Sequence, residues 1–430
     1  MSVFAKASAK RSARAAWTGL AIAGVSTLLL SACATGGTEP TETEEPADAG
    51  DALPVEAGER DLSLTIGSLL PQSGSLAFLG PPEEAGVALA LEDINAADLG
   101  MTVEGIFRDS GDTTTDIATV SVTDLLSQGV SAIVGAASSG VSFTVIDQIT
   151  AAGVVQMSPA NTSPSFTDYE DNGLYFRTAP SDILQGEVLG TQIAASGAST
   201  LGLLVLNDPY GTGLAENAKA AFEAAGGEVV AEELFNTGDS NFDSQLSTIN
   251  AANPDAVAVI TFDEAKVVVP ALVGSGYPGD QLWFVDGNLA DYSADFAPGL
   301  ITGAKGTLPG LYVGEGDFRE RLLEIDPSLT DFSYAGESYD ATILIALAAY
   351  AANSTEGTDI GEYLRQVSGG TGDGEKVDSF ADAAALLAEG EQIDYDGQSG
   401  PITLDENGDP TEATVSIYEY GDDNKYSYVE

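Results

Sequence analysis

Histidine is absent from all 430 residues, and cysteine occurs once, at Cys33. The first absence excludes Ser-His-Asp catalysis and any histidine-ligated zinc or haem. The second excludes an intramolecular disulfide, so the fold rests on its core. Positive charge is scarce as well: 15 Lys and Arg stand against 67 Asp and Glu, a formal net charge of −52. Four of those 15 (Lys6, Lys10, Arg11 and Arg14) precede Cys33 in a stretch without a single acid, so the remainder keeps 11 and stands at −56. Nucleic-acid binding and docking by charge onto anionic lipid need clustered Lys and Arg, and both are excluded. Also missing are a G-x-S-x-G elbow, an S-x-x-K pair and a G-x-x-x-x-G-K-[ST] phosphate loop. GGTGDGEK (369–376) is glycine-rich, but no apolar strand leads into it, and it reads as a mobile surface loop. No carboxylate pair stands out by spacing, so neither an enzyme nor a bound metal or cofactor is expected.

What is present begins with an address. Lys6 to Arg14 form a basic leader, and Trp17 to Leu30 is a 14-residue, mostly apolar run. That run is short of the ~20 residues that span a bilayer, so residues 1–32 read as a secretory signal. Leu30, Ser31, Ala32 and Cys33 resemble the lipobox of bacterial lipoproteins, in which the cysteine is diacylated and becomes the mature N-terminus. The alternative is an ordinary signal peptide with an incidental cysteine. Residues 33–61 follow as a Thr-, Glu-, Pro- and Ala-rich segment nearly without large apolar side chains, expected to be a disordered acidic tether. The lipid is then the expected membrane attachment, outside the cytoplasm on the outer face of the cell membrane.

From Leu62 the pattern becomes α/β. LSLTIGSLL (62–70), TVEGIFRDS (102–110), VSAIVG (130–135) and GVVQMS (153–158) read as strands, with amphipathic helices between them. TLGLLVLN (200–207), GEVVAEELF (227–235), AVAVITF (256–262), QLWFVD (281–286) and TGAKGTLPG (302–310) repeat the pattern. Such alternation predicts parallel sheets with right-handed crossovers, in two doubly wound lobes. SYDATILIALAAYAA (338–352) is the most apolar helix, and PITLDENGDPTEATVSIYEY (401–420) places Asn407-Gly408 in a hairpin turn between two strands. Asp405, Asn407 and Asp409 mimic the start of a calcium loop. Pro410 and Ser416 replace the Gly and Glu that such a loop needs, so turn chemistry is favoured.

Open α/β sheets bind ligands at the carboxyl ends of their strands, which makes the following loops informative. After the third strand, Ser138, Ser139 and the backbone N–H groups of a helix start can hold a carboxylate. A plain N-cap by Ser139 is the structural alternative. Ala160 and Thr162, in SPANTSPSFT (158–167), offer a carbonyl and a hydroxyl, or else a Pro-punctuated turn. Asp286, ahead of Gly287-Asn288, is either an Asx-turn or a carboxylate for a ligand ammonium. Tyr210 in NDPYGTGLAE (207–216) is either a turn aromatic or a clamp.

TIGSLLPQSG, EDINAA, RDSGD, SAIVGAASSGVS, VVQMSPANTSPSFT, YFRTAPSD, NDPYGTGLAE and YDGQSGPITLDENGD follow one another in order over about residues 62–420. This series resembles the branched-chain amino-acid-binding family of ABC-importer solute-binding proteins. The resemblance implies a type I periplasmic-binding-protein fold, with two doubly wound α/β lobes joined by a three-segment hinge. It assigns residues 62–180 and 309–397 to lobe 1, and 181–308 and 398–430 to lobe 2. It implies that Ser138 or Ser139, Ala160 and Thr162 hold a ligand's α-carboxylate and α-ammonium, with Asp286 on the ammonium and Tyr210 as the lobe-two aromatic. Leu79 stands where leucine/isoleucine/valine-binding members have Tyr or Trp, and Phe262 falls near another family aromatic. Both would face the ligand side chain, so an α-amino acid is better supported than leucine itself. The expected partners are a small amino acid or similar zwitterion and a membrane permease, with the protein a monomer. The rival is a sensory lipoprotein of the same fold, reporting a small amide, urea or aromatic acid to a signalling partner. A body at −56 disfavours anionic ligands more than zwitterions, which agrees with the amino-acid reading.

Overall fold

The computed structural model describes residues 52–372 and 374–429; the expected export signal, Cys33 and the expected tether up to residue 51 lie outside the described residues. Strands and helices alternate from Leu62 as their apolar runs dictate. The first lobe opens with β1 (Leu62–Leu70), α1 (Gly80–Ala97), β2 (Met101–Asp109), α2 (Ile117–Ser127) and β3 (Ala132–Gly135). It continues with α3 (Ser139–Ala151), β4 (Val155–Ser158) and β5 (Tyr175–Arg177). Its five strands are parallel in the order β2-β1-β3-β4-β5. Leu64, Ile66, Ile133, Val134 and Val155 are wholly buried, as expected of central strands covered on both faces.

The second lobe runs through α4 (Asp182–Ala195), β6 (Thr200–Leu206), α5 (Pro209–Ala224), β7 (Glu228–Phe235) and α6 (Asp243–Ala252). Then come β8 (Ala256–Ile260), α7 (Ala265–Ser275), β9 (Leu282–Phe284) and β10 (Lys305–Pro309). The chain returns to pack α8 (Asp317–Ile325), α9 (Ala335–Ala352) and α10 (Gly357–Val367) on the first lobe. A small three-stranded sheet follows from β11 (Glu375–Val377), β12 (Ile393–Gly397) and β13 (Gly400–Pro401), with α11 (Phe380–Glu389) between its first two strands. Finally β14 (Val415–Tyr420) and β15 (Tyr426–Tyr428) complete a seven-stranded sheet in the order β15-β14-β10-β9-β8-β6-β7. The polypeptide therefore crosses between the two main sheets three times, after β5, after β10 and after β13. This is the expected two-lobed, three-crossing α/β fold. All of α9 except Ala352 is buried, wedged between α1, α10 and the first sheet.

Three expectations need correction. The tether does not extend to residue 61: Leu53 exchanges hydrogen bonds with Gln366 (2.6 and 3.1 Å), and Arg60 donates to the Tyr350 carbonyl (2.9 Å). Arg60 is buried, with its guanidinium 5.1 Å from the centre of the Tyr350 ring. One cation at the carboxyl end of α9, plus Leu53 and Val55, binds a segment whose average composition argues for disorder. Secondly, part of the 369–376 loop is strand, since Glu375–Val377 pairs with Ile393–Tyr395. Short backbone pairing to a neighbouring strand needs no apolar lead-in.

Thirdly, Asn407-Gly408 does turn, with the Asp405 carboxylate accepting from Asn407 N (2.8 Å) and Asp409 N (3.0 Å). Its flanks meet only around a Leu404–Pro410 bridge, while β14 pairs with β10 and β15 instead. The turn is tied elsewhere. Asp409 accepts from Nε (2.6 Å) and Nη2 (2.7 Å) of the wholly buried Arg177 at the end of β5.

Candidate functional site

The loops at the carboxyl ends of the strands meet between the lobes, where a doubly wound sheet leaves its crevice. Leu76 and Leu79 before α1, Ala137, Ser138 and Ser139 after β3, and Ala160 after β4 form one wall. Tyr210 at the start of α5, Phe262 after β8, and Asp286 with Gly287 after β9 form the other, and Tyr334 ahead of α9 completes the ring. The room they leave is about 10 Å³, about that of one water, so the two walls are closed on each other.

Seven of the eight residues singled out in the sequence therefore share one cavity: Leu79, Ser138, Ser139, Ala160, Tyr210, Phe262 and Asp286. Thr162 does not line it. That residue is wholly buried behind the wall, and its carbonyl accepts from Asp182 N (2.6 Å) at the start of α4. The cap on α3 is also Ser138 rather than Ser139. Ser138 has the extended backbone an N-cap requires, and its Oγ accepts from Val141 N (3.3 Å). Ser139 Oγ accepts from Ser163 N (3.3 Å), and its own proton remains to be donated. The amino end of a 13-residue helix and two hydroxyls thus face the cavity, an arrangement that favours an anion.

Opposite sits the Asp286 carboxylate, buried to 5% exposure. Oδ1 accepts from the Tyr210 hydroxyl (2.7 Å) and from Gln185 Nε2 (3.0 Å), and Oδ2 accepts from the Tyr334 hydroxyl (2.7 Å). Gly287 N donates to the Tyr210 hydroxyl (3.3 Å), orienting that ring. The Tyr210 ring stacks on Phe262 at 5.4 Å between centroids. Phe262 can lie so close because residue 287 is glycine: a Cβ there would come within 2.8 Å of the ring.

The periplasmic binding protein profile matches residues 63–425. The chain belongs to that family. A Pseudomonas aeruginosa protein described as binding leucine, isoleucine, valine, threonine and alanine is 28% identical over 370 residues, 82% of this chain and 88% of its own. The chemotactic signal transduction substrate-binding protein BasB of Halobacterium salinarum is 27% identical over 354 residues, 79% of this chain and 83% of its own. Among solved structures, the branched-chain amino acid transporter substrate-binding protein LivJ of Streptococcus pneumoniae, in complex with isoleucine, superposes with a TM-score of 0.68. It is 23% identical and covers 85% of this chain and 99% of its own. The shared fold is thus that of a branched-chain amino-acid-binding periplasmic protein, and the family is one of extracytoplasmic solute binders.

In this family member the electrostatics of the cavity depend on two carboxylates. Burial raises the pKa of Asp286, and the donors from Tyr210, Tyr334 and Gln185 pull it back. Asp182 is wholly buried with no well-aligned hydrogen bond on either oxygen, and burial, followed by the Asp286 charge, pushes its pKa well up against a small opposing pull from the Thr162 hydroxyl. Two neighbouring buried carboxylates share their charge unevenly. The proton belongs on Asp182, which has only the Thr162 hydroxyl nearby, and the negative charge on Asp286, which has three side-chain donors. Sequence reasoning missed Tyr334, Gln185 and Asp182. Tyr334 lies some 48 positions from Asp286 in a left-handed backbone conformation (φ 59°), and nothing in TDFSYAGE signals its destination.

Proposed function

We propose that this protein is the extracytoplasmic solute-binding lipoprotein of an ABC importer, and that it captures an α-amino acid with a small aliphatic side chain. The observation that carries this reading is the opposition of charges across one cavity. The Asp286 carboxylate suits an ammonium, and the α3 amino end with Ser138 and Ser139 suits a carboxylate. A zwitterion satisfies both walls with charge-assisted hydrogen bonds, which are strong once the lobes exclude water. Leu76, Leu79 and Phe262 supply an apolar wall for its side chain. Leucine, isoleucine and valine are the first candidates, because the Pseudomonas and Streptococcus proteins carry such ligands in their descriptions. Closure over the ligand would present one lobe arrangement to a membrane permease, and Cys33 would carry the lipid that keeps the protein at the membrane.

The test is titration calorimetry on the exported chain, with amino acids, amides, urea and aromatic acids as ligands. Asp286→Ala should abolish α-amino-acid binding while leaving the thermal transition cooperative; unchanged affinity defeats the assignment. Intact-mass analysis should find an acylated Cys33 as the first residue, and an unmodified N-terminus elsewhere removes the anchor. The likeness to BasB favours one second reading, a receptor that reports the same ligand to a signalling partner. Permease and ATPase genes beside this one argue for transport, and a transducer gene argues for sensing.

A further inference from the structure

Behind the ligand cavity, on the hinge side of Tyr334, a second cleft of about 240 Å³ opens to solvent. The crossing segment after β10 (Leu311 and Tyr312), Arg319 of α8, Phe332, and Tyr418 and Tyr426 of the last two strands line it. Its walls are unusually aromatic for this chain. Tyr312 stacks on Tyr428 (4.8 Å, 7°), and its edge meets Tyr418 (6.1 Å, 69°). Leu311, Tyr312 and Tyr428 are all about half exposed, although the rest of the surface is acidic. Tyr426 is held in place by donating to Asp331 (2.8 Å).

The cleft also contains one of the few cations not already committed to an acid. Arg319 makes no ion pair among the described residues, in a protein with 67 carboxylates. Its guanidinium lies 4.7 Å from the Phe332 ring centre, and its Nε is buried without a partner. The other charges facing the cleft are largely neutralised. Lys425 pairs with Asp291 (2.8 Å), and burial pushes Glu337 up to about 8, so that it is mostly protonated at neutral pH.

We propose that this hinge-side cleft is a second ligand site, separate from the amino-acid cavity, that takes a small aromatic carboxylate. The Arg319 guanidinium receives the carboxylate and the Tyr312, Tyr418 and Tyr426 rings receive the aryl group. Rings that pack edge and face around a bound arene gain beyond simple burial, and a stacked guanidinium is preorganised for a planar acid. The site spans β10, α8, β14 and β15, so its occupant touches both lobes where the chain crosses between them.

Phenylacetate is the probe, titrated into the full exported chain by saturation-transfer NMR and calorimetry. Binding to the wild type should weaken about tenfold or more in Arg319→Gln. It should weaken similarly in Tyr312→Ala, and by less in Arg319→Lys, which keeps the charge and loses the planar fork. Thermal melts of each variant exclude unfolding as the cause, and leucine affinity should be unchanged in Arg319→Gln. The proposal is overturned by an absence of phenylacetate binding, by equal binding to Arg319→Gln, or by loss of phenylacetate in Asp286→Ala with retention in Arg319→Gln. The last outcome would move the acid into the amino-acid cavity. Failure of the amino-acid reading shows separately, in the leucine titrations alone.

Discussion

Asp286 illustrates how one side chain acquires its property from residues far along the chain. Alone, a carboxylate at 5% exposure would rather hold its proton. Tyr210, Gln185 and Tyr334 donate to it from three different elements and keep the charged form available. Tyr334→Phe removes the donor on Oδ2 and changes nothing else in size. Losing one hydrogen bond to a charged acceptor should weaken amino-acid binding by about 1.5 kcal/mol, roughly tenfold. It should also raise the Asp286 pKa, so that the affinity lost on acidification disappears at a higher pH than in the wild type. Calorimetric titrations between pH 4 and pH 8 would read both effects, and coincident pH profiles would remove Tyr334 from the site.

Among the elements, the Arg177–Asp409 pair ties together the ligand-side loops of the first lobe. Arg177 is wholly buried at the end of β5, and besides Asp409 it donates to the carbonyls of Asn161 (3.2 Å) and Ser163 (2.8 Å). Those carbonyls belong to the loop that presents Ala160 to the cavity, and Ser163 N in turn reaches Ser139 Oγ. Asp409 arrives from a turn more than two hundred residues later. Asp409→Asn would leave the guanidinium buried and without its counter-charge, which typically costs about 3–5 kcal/mol. Urea unfolding should therefore show a midpoint well below that of the wild type with an unchanged slope. A shift under 1 kcal/mol would show that the turn is dispensable.

The whole molecule stores several buried acids, and they set its response to pH. Burial lifts Glu337 to about 8 and Asp340 and Asp208 to about 6, and raises Glu83 well above its ordinary value, with Glu337 beside it. A carboxyl whose folded pKa lies above its unfolded one binds its proton more tightly when folded. Its penalty on stability is then absent below the unfolded value and grows as pH rises to the folded one. The thermal midpoint should accordingly climb on acidification from about pH 8 to about pH 5. Relief of self-repulsion in a chain at −52 acts in the same direction. Scanning calorimetry with Glu337→Gln separates the two: the variant should lose the upper part of the slope, near pH 8, and keep the rest. A profile identical to the wild type would show that Glu337 contributes nothing to it.

The sequence alone determined the α/β alternation, the two lobes and five residues of the cavity wall (Ser138, Ser139, Ala160, Tyr210 and Asp286), because apolar period and post-strand position are local properties; Leu79 and Phe262 came from the family resemblance. A buried strand must be apolar, and a doubly wound sheet must leave its crevice at the carboxyl ends of its strands. The charge of −52 likewise needed no structure to exclude nucleic acid. Local signals ended where contacts became long-range. Thr162 stands in a promising loop, yet it lies behind the wall because Asp182 N ties its carbonyl there. Tyr334 lies in an unremarkable loop, yet it donates to Asp286 because α9 is wedged against the first sheet. Pairing of Arg177 with Asp409, and the uneven sharing of charge between Asp182 and Asp286, depend on which groups lose water together. Only the tertiary structure decides that, since desolvation is a property of the packed surroundings and not of a stretch of chain.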